Sequence, residues 1–500
     1  MNLAMLLEMA AAGHGERVAV QCGSDTLSYD ELFCASGAAA RDLVSRAAAH
    51  LAFLDVSGLA APVALFAAAR AGVPYVPLNY RLTGRELDAL LERIAPAHLV
   101  TDPQRAALLS SQPGASVAAR DVFLASARTV SDTPAWPNDP EAIAVLLFTS
   151  GTTGAPKAAV LRHRHLVSYV LGTVEFASAG EEEATLISVP PYHVAGVAAI
   201  LSSVYAGRRI VQLPSFSPEA WIETARSERV THAFVVPTML ARIVDCLAGR
   251  ASAGLPHLRS LSYGGGKMPL PVIERALELL PEAEFTNAYG LTETSSTIAL
   301  LGPEEHRRAR AGRDSRVRRR LSSVGQALPG VEIDVRDEHG KPLPPDTTGE
   351  VYVRGPQVSG EYIGRGSQLG PDGFLPTRDS GFLDEEGFLF LQGRIDDVIV
   401  RGGENLSPGE IEDVMLEHPS VAECAVVGIA DLEWGEAVAA AVVLAEGASA
   451  SEEELRAWVQ SRLRSSRVPA RVVFRRELPY NETGKLLRRV VRAELSEGTT

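Results

Sequence analysis

An α/β architecture with largely parallel sheets, divided over at least two domains, is the fold this sequence predicts. Three observations carry it. Short apolar runs alternate with helical patterns through the first half of the chain, as expected of strands separated by helices. Between Val324 and Leu391 the texture changes to short alternating runs broken by Gly, Pro and Asp turns, which predicts a small β-rich unit. A second change follows Gly393-Arg394, after which helix starts and a long apolar run return, as in a compact α/β domain. A chain of 500 residues also exceeds what one hydrophobic core organises.

Taken in order, Val63-Ala64-Leu65-Phe66 leads through alanines to Val73-Pro74-Tyr75-Val76-Pro77-Leu78, and Ile143 to Phe148 is a short apolar run. Ala184 to Gly207 is uncharged and long enough to cross a bilayer, but Pro190-Pro191-Tyr192-His193 interrupts it. It reads as a buried strand, a turn and a buried helix, so no membrane span is expected. Ile210 to Leu213 and Ala233 to Val236 are strand candidates, separated by a helix beginning near Ser217-Pro218. Further on, Ser407-Pro408-Gly409-Glu410 reads as a capping box with proline at the first helical position, and Ile411, Val414 and Met415 form its apolar face. Val421 to Ile429 reads as a strand. Ser451 to Glu454 reads as a second capping box, opening a helix with Leu455, Trp458, Val459 and Leu463 on one side.

Composition excludes several classes. With 46% hydrophobic and 22% charged residues the chain is neither disordered nor fibrous. A net charge of −14 argues against nucleic-acid binding, which needs a basic face. The four cysteines form no C-x-x-C pair, so neither a disulfide framework nor a zinc site is indicated. Glu8 interrupts the apolar N-terminus and no basic segment precedes it, so no signal peptide is expected and the location is read as cytoplasmic. Only four of the 48 basic residues are lysine: Lys157, Lys267, Lys341 and Lys485. Arg307 to Arg320 packs eight arginines into fourteen residues, a run that reads first as a solvated, mobile loop and second as a contact for a phosphate-bearing partner.

The strongest chemical signal is Thr149-Ser150-Gly151-Thr152-Thr153-Gly154-Ala155-Pro156-Lys157, directly after the run ending in Phe148. Glycines let backbone N–H groups converge on an anion, four hydroxyls add donors, and Lys157 adds charge. This is phosphate-holding chemistry, but not a Walker A loop: Pro156 stands before the lysine and no Ser or Thr follows it.

From about Tyr29 to Arg489 the sequence resembles the adenylate-forming enzymes, a superfamily of acyl-CoA synthetases, adenylation domains and luciferases, and it is closest to the acyl-CoA synthetases. The resemblance rests on several motifs in order: the loop above, Gly264-Gly265-Gly266, Asn287-Ala288-Tyr289-Gly290-Leu291-Thr292-Glu293, Thr377-Arg378-Asp379, Gly393-Arg394 with Ile395-Asp396-Asp397, Arg401-Gly402-Gly403-Glu404-Asn405, and Asn481-Glu482-Thr483-Gly484-Lys485. It implies a large N-terminal domain of two α/β subdomains plus a distorted β-barrel over residues 1–393, a hinge at 394–397 and a small mobile lid over 398–500. It also implies a two-step reaction alternating between lid orientations: a carboxylic acid and ATP give an acyl-adenylate and pyrophosphate, and a thiol then displaces AMP.

The resemblance assigns roles residue by residue. Thr149, Ser150, Gly151, Thr152, Thr153 and Lys157 would hold phosphates. Gly264, Gly265 and Gly266 would let adenine lie against the backbone. Within the motif that begins Asn287-Ala288, Tyr289 would stack on adenine, Thr292 would reach the α-phosphate and Glu293 would help hold Mg²⁺. Asp379 would bond the ribose hydroxyls and Arg394 the ribose or phosphate. Asp396 would be the hinge, Gly402 and Gly403 would leave passage for the pantetheine arm of coenzyme A, and Lys485 would neutralise charge developing at the α-phosphate. His193, Val194, Gly196 and Val197 fall where the family lines its acyl pocket, and His193 is counted with Lys485, Glu293 and Thr292 among the catalytic residues the resemblance implies. No acid stands there to hold an ammonium group, which disfavours amino-acid substrates. The reading is therefore an acyl-CoA ligase for a hydrophobic aliphatic, aromatic or polycyclic acid. The alternatives are an adenylating enzyme that loads an acyl carrier protein, and an enzyme performing mainly one half-reaction. Three positions depart from the family pattern: Lys267 follows the glycine triplet, Ala158 stands where glycine usually follows the loop lysine, and Arg378 stands where glycine usually precedes Asp379. A cation beside Asp379 could pair with it and compete with ribose, or turn to solvent or a phosphate.

Overall fold

The computed structural model describes residues 1–127, 136–149, 156–312, 314–402, 404–481 and 486–497. Among these, two large mixed sheets form the N-terminal part. The first has nine strands in the spatial order Gln326–Ala327, Ser296–Leu301, Glu284–Leu291, Ser260–Gly264, His232–Val235, Ala184–Ile187, Arg209–Gln212, Val18–Cys22 and Asp25–Ser28. Its central pairs are parallel and its margins antiparallel. The second has eight strands, parallel from Ile143–Thr149 through Tyr75–Pro77, His50–Leu54 and Ala97–Thr101 to Ala115–Ala119. On its other side Lys157–Arg162 and Glu361–Tyr362 pair antiparallel. One continuous core containing Leu3, Phe53, Phe66, Trp221, Tyr263 and Phe285 packs the helices and both sheets together. No helix among the described residues is long and apolar enough to cross a membrane.

The uncharged stretch resolves as read: strand Ala184–Ile187, a turn, and helix Val194–Ala206, which Gly207 ends in the left-handed conformation. Ser217 caps the helix Pro218–Ser227 by accepting from Ala220 N–H at 3.1 Å. The run Val63–Phe66 lies inside the helix Ala60–Ala71. That helix is buried on every side, so its sequence carries no polar face to reveal its period.

The β-rich unit is a four-stranded antiparallel sheet: Glu332–Arg336, Gly349–Arg354, Leu375–Leu383 and Leu389–Arg394. Its last strand runs directly into the one-turn helix Ile395–Asp397. Beyond that turn, the long hairpin Val421–Asp431 and Gly435–Leu444 is apolar on both faces. Val426 and Val438 face one core with Ile411, Met415, Leu455 and Val459, while Val427 and Ala439 face another with Leu478, Val491 and Leu495. Burial on two faces is why this strand reads as a continuous apolar run instead of an alternating one.

Two sequence expectations are corrected. Ser407 does not cap the helix Pro408–Leu416; its hydroxyl donates to the Gln392 carbonyl at 2.8 Å, tying the helix start to the antiparallel sheet. The arginine run is no loop, because it forms the helices Pro303–Ala311 and Ser315–Arg319. Arg320 is buried between Glu305 and Glu386, and Arg319 lies over the Phe390 ring at 4.5 Å. Among the described residues of the run only Arg320 is buried; Arg307, Arg308, Arg310, Arg316, Arg318 and Arg319 are exposed, so the run stays solvated except at its end.

The C-terminal unit contains its own buried ion pair. Glu412 accepts from Arg488 Nη2 at 2.8 Å and from Val426 N–H at 2.7 Å, and Arg488 also donates to the Val426 carbonyl at 3.1 Å. Removing one member of such a pair leaves an uncompensated buried charge. Glu412→Ala should therefore destabilise this unit by roughly 3–5 kcal/mol, read as an earlier urea transition in the fluorescence of Trp434 and Trp458.

Candidate active site

The two large sheets meet at Glu293. In the nine-stranded sheet, Ser260–Gly264 and Glu284–Leu291 run parallel with Gly264 opposite Ala288. A β-carbon on Gly264 would lie 2.1 Å from the Ala288 carbonyl oxygen, so this glycine serves close strand packing. The chain then turns tightly through Thr292–Thr294. Thr294 Oγ1 accepts from Leu291 N–H at 2.9 Å and donates to the Ser296 carbonyl at 2.8 Å. Ser295 and Ser296 both take positive φ, 57° and 119°, a strained backbone held by those bonds.

That turn projects Glu293 toward the other sheet. Its carbonyl accepts from Ser359 N–H at 2.8 Å, and its Oε1 accepts from the Tyr362 hydroxyl. Tyr362 lies on the strand next to Lys157–Arg162, and its ring carries the Lys157 ammonium 5.7 Å from its centroid. Burial, and then the Glu293 charge, push the Tyr362 phenol well above its ordinary pKa, so it remains a donor. Thr149 sits opposite Lys157 across the hairpin, with Oγ1 3.4 Å from its carbonyl. Ser150, Gly151, Thr152 and Thr153 lie outside the described residues, as do Gly403 and Lys485.

A second cluster joins the nine-stranded sheet to the antiparallel one. Asp379 is buried; its Oδ2 accepts from the Tyr289 hydroxyl at 2.5 Å and its Oδ1 from Arg394 Nη1 at 2.8 Å. Burial, reinforced by the Asp379 charge, holds the Tyr289 phenol far above its usual range. Burial opposes the Arg394 charge, but Asp379 outweighs it and raises the guanidinium pKa. Glu293 is near enough to add to that effect, which places the two clusters side by side.

Arg378, the unexpected cation before Asp379, turns away from it. It does not pair with Asp379. It takes φ +63°, a conformation that costs a non-glycine residue about 1–2 kcal/mol, and its side chain points away from its neighbour's. Nη2 bonds Asp396 Oδ1 at 2.5 Å, and Nη1 lies 3.8 Å from Glu350 Oε1. Lys267, the other unexpected cation, reaches Asp413 Oδ1 at 2.5 Å and the Gly409 carbonyl at 3.2 Å, both on the helix Pro408–Leu416.

Other expected positions sit apart from these clusters or serve packing. Asn287 Nδ2 donates to the Ser323 carbonyl at 2.9 Å. Gly402 turns with φ +58° against Trp434, where a β-carbon would meet the indole at 2.8 Å. Val197 belongs to the central core, with Val194 packed against it, and Gly196 lies close under the Pro190 carbonyl. His193 stands at the start of the same helix, its ring 4.4 Å from that of Tyr192, which in turn meets Tyr80 at 5.4 Å. Burial lowers its pKa to about 4, so the imidazole is neutral at pH 7, and Nε2 is buried without a hydrogen-bond partner. Tyr362 and Glu350 escaped the sequence reading. The only signal for Tyr362 was an aromatic residue flanked by glycines in Gly360-Glu361-Tyr362-Ile363-Gly364, and Glu350 gave none.

Among the described residues no group of three or more His, Cys, Asp or Glu could hold a metal. A magnesium ion at Glu293 would therefore take its other ligands from water and nucleotide phosphates, as that ion usually does. One carboxylate beside a lysine and a phenol fits that donor set.

Residues 7–363 match the AMP-binding enzyme family and residues 410–485 the AMP-binding enzyme C-terminal domain. The chain is 34% identical to the fatty acid–[acyl-carrier-protein] ligase ScoC of Streptomyces coeruleorubidus, over 95% of this chain and 92% of that one. It is 32% identical to a feruloyl-CoA synthase of an Amycolatopsis species, over 95% of each. Among solved structures, ATP-bound MatB of Rhodopseudomonas palustris matches with a TM-score of 0.89 at 29% identity over 100% of both chains, and apo MatB with 0.78 at 28% identity over the same share. The o-succinylbenzoate CoA synthetase MenE of Bacillus subtilis, in complex with ATP and magnesium ion, matches with 0.84 at 30% identity over 97% of this chain and 98% of that one. The chain belongs to the AMP-binding, adenylate-forming enzymes and is an ATP-dependent, AMP-forming acid–thiol ligase.

Proposed function

We propose that this enzyme activates a hydrophobic carboxylic acid, aliphatic, aromatic or polycyclic, as its acyl-adenylate and transfers the acyl group to coenzyme A. The observation that carries the substrate class is His193: a neutral imidazole flanked by Tyr192, with no carboxylate among the neighbouring residues 191–197. Such surroundings accept an uncharged tail and offer nothing to an ammonium group. Lys157 and the undescribed loop before it hold phosphates, Glu293 takes the magnesium, and Asp379 with Arg394 binds the ribose. Residues 1–393 then act as the nucleotide domain, 394–397 as the hinge and 398–500 as the lid. The enzyme works on both half-reactions, since Arg378 leaves Asp379 alone.

A second reading makes an acyl carrier protein the thiol acceptor. It draws on the identity to ScoC, which is a carrier-protein ligase by name. The experiment for both is one panel: octanoate, palmitate, ferulate, 2-succinylbenzoate, cholate and phenylalanine with ATP and Mg²⁺, offered coenzyme A or a phosphopantetheinylated carrier protein, with thioesters read by mass spectrometry. Coenzyme A thioesters of the uncharged-tail acids are expected. Turnover of phenylalanine, or thioesters on the carrier alone, would overturn the first reading.

Two substitutions test the site. Lys485→Ala should lower acid-dependent pyrophosphate exchange by at least 100-fold, on the order expected when a preorganised transition-state charge is lost, while a supplied acyl-adenylate is still converted to thioester. Tyr362→Phe keeps the ring under Lys157 but removes the donor to Glu293. Losing a hydrogen bond to a carboxylate should slow pyrophosphate exchange about tenfold and shift its Mg²⁺ dependence, which a magnesium titration of the exchange rate reads directly.

A further inference from the structure

Arg378 sits beside the turn read as the hinge. Its backbone is strained at φ +63°, and its guanidinium spans two acids from different elements, one in a strand and one in the turn after Arg394. On one side stands Glu350, in the strand Gly349–Arg354 of the antiparallel sheet, whose Oε1 is buried and makes no hydrogen bond. It lies 3.8 Å from Arg378 Nη1, so the guanidinium is its counter-charge. On the other side stands Asp396, in the turn between the last strand of that sheet and the C-terminal unit, bonded at 2.5 Å.

We propose that Arg378 is a positioning residue that ties Asp396 to the antiparallel sheet and so holds the lid in the arrangement seen here, favouring adenylation over thioester formation. The proposal rests on the reading of Asp396 as the hinge. If the backbone at Asp396 turns as the lid rotates, its carboxylate leaves Arg378, and the arrangement that keeps the bond gains in population. The chain as a whole superposes better on the ATP-bound form of a relative, with a TM-score of 0.89, than on the apo form of the same enzyme, with 0.78, and on that ground the arrangement seen here is assigned to adenylation. Lys267, bonded to Asp413 on the first helix of the lid, must let go in the same movement. The pair is half exposed, with Arg378 at 50% and Asp396 at 41%, which sets the scale: an exposed ion pair shifts an equilibrium by about two- to fivefold.

The test separates the side chain from the backbone. Arg378→Ala keeps the strained φ and removes the guanidinium, whereas Arg378→Gly also relieves the strain. Pyrophosphate exchange with the most active acid of the panel above reports adenylation, and single-turnover conversion of that acid's purified adenylate with coenzyme A reports thioester formation. In Arg378→Ala the ratio of thioester formation to adenylation should rise about two- to fivefold. Asp396→Asn should reproduce the rise, Arg378→Lys should partly restore the original ratio, and Arg378→Ala with Asp396→Asn should do no more than either alone. Arg378→Gly should give the same ratio with a higher melting temperature than Arg378→Ala. A ratio unchanged in Arg378→Ala, or additive effects in the double variant, overturns the proposal. Asp396→Pro distinguishes the two levels. If it changes both half-reactions equally, the hinge reading itself falls; if it splits them while Arg378→Ala does not, only the role of Arg378 falls.

Discussion

A buried carboxylate has to be paired, and at Asp379 that requirement draws three parts of the enzyme together. Tyr289 comes from the end of a strand in the nine-stranded sheet, Asp379 from the middle of the antiparallel sheet, and Arg394 from the last residue before the turn Ile395–Asp397. Each partner satisfies one oxygen, and removing either would leave charge in a poorly solvated place. The register of the antiparallel sheet does the positioning, since Asp379 and Arg394 are direct cross-strand neighbours. The same short strand end that supplies Arg394 continues into Asp396. The arginine that pairs with the carboxylate read as the ribose ligand thus stands two residues before Asp396, in the turn read as the hinge.

Alternation along the neighbouring strand separates two charges that look competitive on paper. Arg378 and Asp379 are adjacent in the chain, yet the arginine faces outward to Asp396 and Glu350 while the aspartate faces inward to Tyr289 and Arg394. The left-handed backbone at Arg378 explains why glycine suits this position, and the ion pairs explain what the arginine gains against that cost. Glu293 shows a related economy of backbone. A strained turn, locked by Thr294, carries it across from one sheet to the other, where Tyr362 and Lys157 wait.

Much of this was readable from the chain alone. The order of the strands around Ala184–Gly207, the helix at Ser217-Pro218, the β-rich middle and the compact C-terminal unit all follow from apolar runs and caps, which are local signals. The readings that failed were those in which a distant partner decides. Ser407 looks like a cap, but the Gln392 carbonyl competes for its hydroxyl. The arginine run reads as a loop but is helical, and its last member Arg320 is buried because Glu386, from a later turn, engages it together with Glu305. Val63 to Phe66 hides its helix because burial on all sides erases the periodicity.

The residue types needed for the chemistry, and their order, are properties of the sequence: a hydroxyl- and glycine-rich loop ending in Lys157, Tyr289 and Glu293 in one motif, Asp379 and Arg394 in two others. Motif order survives in one dimension because each loop needs its own backbone. Partnership does not, because a side chain's direction depends on strand register and on which sheet edge it meets. Only the tertiary structure could bring Tyr362 under Lys157 and onto Glu293, send Arg378 to Asp396 in place of Asp379, and stretch Lys267 to Asp413. Each of those contacts joins residues far apart in the chain, and their energy exists only once two sheets, or a sheet and the C-terminal unit, have closed against each other.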